Sequence, residues 1–184
     1  MRVVIFSALL APSALLADCA PVPERSERQS QLMSDIAVAD SEAEARELSN
    51  ALWEIWTTAP DEAAQEMLTS GMARRGSYDY LGALQRFNDL VAYCPDYAEG
   101  YNQRAFVHFL SGSFEKALAD LDRTLAITPD HIGALSGRAL TLLELGRERE
   151  GQLALRAALA FNPWLPERFR LQPLEPDGET ETDL

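Results

Sequence analysis

Lys116 is the only lysine in the chain, and all basic residues together number 16 against 29 acidic ones, for a formal charge of −13. Nucleic acid and anionic lipid are held through basic patches that release counterions, so this balance argues against nucleic acid as a partner. Histidine is almost as scarce. His108 and His131 fall on different elements, and neither has a metal-ligating residue four positions on. There is no P-loop, dinucleotide-binding glycine fingerprint, nucleophile elbow or paired-histidine zinc motif, and the Asp/Glu-rich end lacks calcium-loop spacing. Asp120 and Asp122, close to Lys116 and Arg123, read as a solvated helix face. These absences lead to the expectation that the chain is not an enzyme and uses no cofactor and no metal. Long hydrophobic runs are lacking too. The one candidate, Val3 to Leu16, is shorter than the ~20 residues of a membrane-spanning helix.

That run has a different reading. Arg2 gives a positive start, the apolar stretch follows, and Leu15-Leu16-Ala17 ends on a small residue, the pattern of a secretory signal peptide over 1–17 cleaved after Ala17. Pro12 and the positive start count against the alternative, a buried N-terminal helix. The expected location is therefore periplasmic or secreted. The two cysteines are Cys19 and Cys94. In an oxidising compartment they suggest one disulfide closing a loop of 75 residues, for which the chain-entropy model gives ~4 kcal/mol before strain. The alternative is two unpaired thiols. Leu16-Ala17-Asp18-Cys19 is similar to a lipobox but has Asp18 where a small residue belongs, so membrane association is expected only if Cys19 is lipidated.

The 184 residues allow one domain plus tails, and their 47% hydrophobic and 24% charged content is that of an ordinary globular protein. The strongest signal is an internal period. Pro95, Pro129 and Pro163 stand 34 residues apart, as do Gly71, Ala105 and Ala139, then Ala83, Ala117 and Gly151, then Phe87, Leu121 and Leu155. Small residues let two helices approach, bulky neighbours fill the remaining space, and proline ends the second helix of each pair. Pro60-Asp61, Pro95-Asp96 and Pro129-Asp130 punctuate the chain, each Asp being suited to cap the next helix. Gly112 and Gly146 mark the turns inside their repeats, and Ser113 is placed to cap the helix after Gly112.

This pattern resembles the tetratricopeptide-repeat (TPR) family, whose 34-residue unit combines such small, aromatic and proline positions. The middle copy matches best, with Tyr101, Ala105, Gly112, Phe114, Ala117, Leu121 and Pro129, while Arg74 and His108 stand where the family often has an aromatic. The resemblance implies an all-α fold, a short right-handed α-solenoid of about three TPR helix pairs over 60–165, with repeats at 64–97, 98–131 and 132–165. It also implies a concave surface lined by the first helix of each repeat: Leu68, Met72 and Arg75, then Asn102, Phe106 and Phe109, then Ser136, Leu140 and Leu143. That surface would suit an amphipathic helix or apolar peptide from another protein, with arginine at one end for orientation. The other reading makes these residues interhelical core.

The flanks complete the picture. Ser41-Glu42-Ala43-Glu44 has the form of a capping box, and Leu48, Ala51, Leu52, Ile55 and Trp56 make an amphipathic stripe, so 41–59 is expected as an N-terminal capping helix over the first repeat. Residues 18–40, with Pro21 and Pro23, read as an extended lead. After Pro163-Trp164-Leu165-Pro166 only a short helical cap fits, and the remaining acidic tail to 184 reads as disordered. Phe161, Trp164 and Phe169 are either buried by that short segment or form a docking patch, which makes a homo-oligomer through the C-terminal end the second functional reading. The small-residue register carries its own test. Ala105→Leu should overpack its helix pair and cost ~1–3 kcal/mol in a urea unfolding series, and unchanged stability would mean the register is misplaced.

Overall fold

The computed structural model describes residues 19–174 apart from position 25. The expected signal peptide and most of the acidic tail lie outside the described residues. Eight α-helices follow one another: α1 (Glu27–Ala37), α2 (Glu42–Trp56), α3 (Glu62–Gly76), α4 (Tyr80–Tyr93), α5 (Ala98–Leu110), α6 (Phe114–Ile127), α7 (Ile132–Glu144) and α8 (Glu148–Phe161), with a 3-10 helix at Pro166–Arg170. No strand occurs among the described residues, and none of their helices is long and apolar enough to cross a membrane.

Helices α3/α4, α5/α6 and α7/α8 pack as hairpins, and each hairpin stacks on the next. The period seen in the sequence is the period of the helices. α4, α6 and α8 begin at Tyr80, Phe114 and Glu148 and end at Tyr93, Ile127 and Phe161, in steps of 34. Size complementarity explains the packing. A Cβ on Gly71 would collide with the Phe87 ring, and one on Gly151 would collide with Leu143. Phe87, Leu90, Leu121 and Leu155 supply the bulk that those small residues admit, and all are buried.

The turns are less uniform than the helices. Gly112 and Gly146 take φ of 69° and 71°, the left-handed region that glycine enters without a steric cost. Their counterpart 34 residues earlier is Tyr78, which is forced to φ 64° while its side chain stays 80% exposed. Capping also varies. Asp61 accepts from the Ala64 N–H at 2.9 Å, but Asp96 and Asp130 do not cap, because there the Pro-Asp pair forms the turn and the next residue, Tyr97 or His131, takes the N-cap. Ser113 occupies its N-cap position without a side-chain hydrogen bond. The Ser41 hydroxyl accepts from the Glu44 N–H at 3.3 Å, and the Glu44 carboxylate reaches back to the Asp40 N–H at 2.9 Å.

Two expectations for the N-terminal region are corrected. Of the expected lead, residues 19–24 are non-helical, while Ser26 caps α1 by accepting from the Gln29 N–H at 3.1 Å. Leu32, Met33 and Ile36 give that helix a small apolar face, which the nearby prolines and polar residues obscure in the sequence. The second correction concerns placement. α2 does not sit over the first repeat; it folds against α1, and the hairpin reaches the far end of the solenoid, with α1 against α8. Its apolar residues cluster with Ile132, Phe161 and Leu165. Polar bonds fix the contact: Trp164 Nε1 donates to the Ala39 carbonyl (2.9 Å), Asn162 Nδ2 to Ser49 Oγ (3.3 Å) and Arg168 Nη2 to Glu42 (2.9 Å). The N-terminal hairpin thus covers the C-terminal end of the solenoid.

Cys19 and Cys94 are joined in a disulfide, with Cα atoms 5.2 Å apart. Asp61 holds the adjoining strap by accepting from the Ala20 N–H at 2.9 Å and the Tyr93 hydroxyl at 3.2 Å. The Ala64 N–H and then the Ala20 N–H hold its carboxyl below the usual range.

A polar network joins the first helices of the three pairs. Glu99 of α5, 2% exposed, accepts from His131 Nε2 at 2.8 Å, from Asn102 Nδ2 at 3.1 Å and from Gln103 Nε2. The Arg75 guanidinium of α3 donates to Gln103 Oε1. His131 Nδ1 accepts from the Ala134 N–H at 3.2 Å, so its proton is on Nε2, and the imidazole is a neutral donor to a carboxylate. The Trp56 ring stacks on that imidazole at 4.0 Å, and the Tyr97 hydroxyl donates to the Trp56 carbonyl at 2.6 Å. Burial, aided by the Glu99 charge, pushes the Tyr97 hydroxyl well above its ordinary pKa.

Two measurements follow from this architecture. Tyr78→Gly should stabilise the chain by up to about 1 kcal/mol, since the strained φ is relieved and the lost side chain is exposed; lower stability would show that the ring contact with Tyr80 outweighs the strain. His131→Ala removes a helix cap and a donor to a buried carboxylate, and should lower unfolding free energy by about 2–4 kcal/mol. Chemical denaturation followed by helical circular dichroism reads both, and a loss under about 1 kcal/mol for His131→Ala would mean that water replaces the imidazole freely.

Candidate functional site

The concave face of the solenoid is partly filled by the chain itself. α2 lies in it, and between α2, α5, α7 and the Leu165–Glu167 segment a cavity of about 350 Å³ remains. Its walls are Phe106, Phe109 and Ala105 from α5, Leu140 from α7, Trp53 from α2 and Leu165, with Asn102, Ser136 and Glu167 as polar points. The glycines Gly133 and Gly137 keep the α7 wall open, and a Cβ at Gly137 would press on Leu121.

Five of the residues selected by the inner-helix register border this cavity: Asn102, Phe106, Phe109, Ser136 and Leu140. Three do not. Leu68 is fully buried in the α3/α4 core, and Met72 packs against the same cluster, because the first repeat turns these side chains toward Phe87 and Leu90. Arg75 is spent within the fold. Its guanidinium lies 4.7 Å over the Phe106 ring and bonds Gln103, and burial lowers its pKa against the opposing pull of Glu99. It therefore braces a cavity wall and offers no free cation for orienting a ligand. Leu143 faces Gly151 in the α7/α8 interface.

Trp53, Leu165 and Glu167 also line the cavity, and sequence reasoning missed them. Trp53 stands one position off the Leu52–Ile55–Trp56 stripe and so reads as outward-facing until α2 is known to lie in the groove. Glu167 reads as part of a solvated cap. In the fold its Oε2 is shielded from solvent and has no hydrogen-bond partner among the described residues.

The remaining candidate groups serve the fold. Asp120 is buried and takes a bidentate bond from Arg104, at 2.8 and 2.6 Å, whereas Asp122 is half-exposed and pairs with Arg138 at 2.7 Å; the solvated-face reading is corrected for Asp120. His108 lies 3.9 Å from Asp120 on the same helical pair, and burial lowers its pKa. Phe161 joins the α1/α2 cluster and Trp164 bonds Ala39, while Phe169 remains 82% exposed. A second cavity, about 570 Å³, separates the Val22–Gln29 strap from the loops that start α5 and α7, and belongs to the seam closed by the disulfide.

Comparison with known proteins agrees with this architecture. No family model matches the chain. A TPR repeat-containing protein of Rhizobium etli is 41% identical over 75 residues, which is 41% of this chain and 35% of that protein. The chain spans less than half the length of the curated relatives it matches. Among solved structures, the TPR domain of Arabidopsis OM64 superposes with a TM-score of 0.56 at 21% identity, covering 59% of this chain and 94% of the domain. The TPR2B domain of yeast Sti1, solved as a complex with pHsp70, gives 0.52 at 21% identity, covering 59% of this chain and 89% of that one. With its 34-residue helical period and stacked hairpins, the chain has the fold of a tetratricopeptide-repeat solenoid, with three helix pairs, and is similar to TPR repeat-containing proteins.

Proposed function

We propose that this chain is an exported, non-catalytic adaptor that holds a segment of another protein in the cavity between α2, α5 and α7. The observation that carries the reading is the cavity itself: a concave, mostly apolar recess with a few polar points, on the face where a TPR solenoid offers its inner helices. A TPR domain of the same fold in yeast Sti1 was solved in complex with pHsp70, which supports a peptide or protein as the kind of partner. Both histidines are held in structural contacts, and no described pair of them with an acid opens into this cavity. Export is supported by the signal-peptide pattern of 1–17 and by the Cys19–Cys94 disulfide, since such bonds persist in oxidising compartments. The Cys19–Cys94 disulfide supports a Cys19 that carries no lipid thioether. The partner would be taken up by a soluble protein.

The test uses the exported chain from an envelope fraction. Intact mass without reductant should give a species beginning at Asp18 and lighter than the dithiol by two hydrogens. A photo-crosslinker at Leu140 should join one defined protein partner, whereas the same group at Leu153, exposed on the opposite helix of the pair, should not. Equal labelling from both positions would remove the cavity as the binding site, and a chain retained in the cytoplasm would remove the export reading.

A further inference from the structure

We infer that the cavity takes a large apolar side chain flanked by a cationic one, so that the partner segment is a short cationic-apolar stretch; this rests on the binding role proposed above. The argument starts from the walls. Phe106, Phe109, Leu140, Trp53 and Leu165 surround a space of about 350 Å³, enough for one or two side chains and too small for a peptide running the length of the solenoid. α2 closes one flank of the groove and the Leu165–Glu167 segment closes another, so the occupant enters as a plug.

Charge then selects what stands beside the plug. Among the described residues the only carboxylate on the cavity wall is Glu167, whose side chain is partly exposed. An ammonium or guanidinium group brought by a ligand would meet the Glu167 carboxylate in a charge-assisted hydrogen bond, the strongest kind. Arg75, behind the Phe106 wall, is bonded to Gln103 and stacked on that ring. The chain as a whole carries −13, which attracts a basic segment and disfavours an acidic one. An acidic peptide end would meet Glu167 with like charge and find no free cation on the cavity wall.

The experiment titrates the oxidised chain with three blocked hexapeptides, each carrying one phenylalanine flanked on both sides by lysine, by serine or by glutamate, at 0.15 M salt. Nuclear magnetic resonance follows the amides of Phe106, Ser136 and Leu140. The lysine peptide should bind about fivefold or more tightly than the serine peptide, and the glutamate peptide most weakly. Glu167→Gln should bring the lysine and serine peptides close to parity, while Glu66→Gln, an exposed change of the same charge on α3, should leave their ratio as it was. Equal binding of lysine and serine peptides in the unaltered chain, or a ratio indifferent to Glu167→Gln, overturns the cationic specificity and leaves the apolar socket standing. If no peptide shifts those amides, the socket itself is wrong and the proposed binding role falls with it.

Discussion

The burial of the Glu99 carboxylate governs how this solenoid is put together. A carboxylate shielded to that extent must collect donors, and it collects them from its own helix through Asn102 and Gln103 and from the next repeat through His131. Gln103 in turn receives Arg75 from the preceding repeat. One charge thereby fixes the relative setting of α3, α5 and α7, which are the helices that face the groove. Apolar packing between repeats is tolerant of small slides, whereas a chain of directional bonds to one ion is not.

The same group recruits the N-terminal hairpin. His131 spends its edge on Glu99 and on the α7 backbone, leaving its face for Trp56. With Trp56 seated there and Trp53 on the cavity wall, α2 reaches the inner helices through its side chains, and α1 packs against α8. A three-repeat array exposes an apolar end that needs covering. Here Phe161 and Leu165 at that end pack with Leu32, Met33 and Ile36 from the start of the chain, so the two ends solve each other's exposure.

Local and periodic features were legible in the sequence, and features that depend on distant segments were not. The 34-residue spacing of Ala83, Ala117 and Gly151 gives the helix pairs directly, because each position answers to neighbours within one repeat. The Cys19–Cys94 pairing followed from there being two cysteines only. By contrast, α1 has three buried apolar residues, too few for periodicity to stand out, and its stability comes from α2 and α8. Inner-helix register marks Phe106, Phe109 and Leu140, yet it assigns Leu68 and Met72 to the same surface, since it assumes that all repeats present equivalent faces. Tyr78 illustrates the opposite failure: the fold imposes a glycine-like turn on a residue that no turn rule would select.

Filling part of a groove with one's own helix changes what the rest of it can recognise. An open TPR surface offers a long track, where affinity accumulates over many weak contacts along an extended ligand. In this chain α2 and the Leu165–Glu167 segment shorten the track to a single recess whose walls come from four parts of the molecule. A recess of that kind concentrates recognition on one or two anchoring side chains, the way hot spots dominate an interface. It also gains rigidity, because Leu165 is held by the hairpin cluster and Phe106 by Arg75. A preformed socket loses little entropy when filled, so a short ligand suffices for the proposed binding. Under the proposed function, the hairpin that seals the end of the solenoid would therefore also shape the surface that a partner meets.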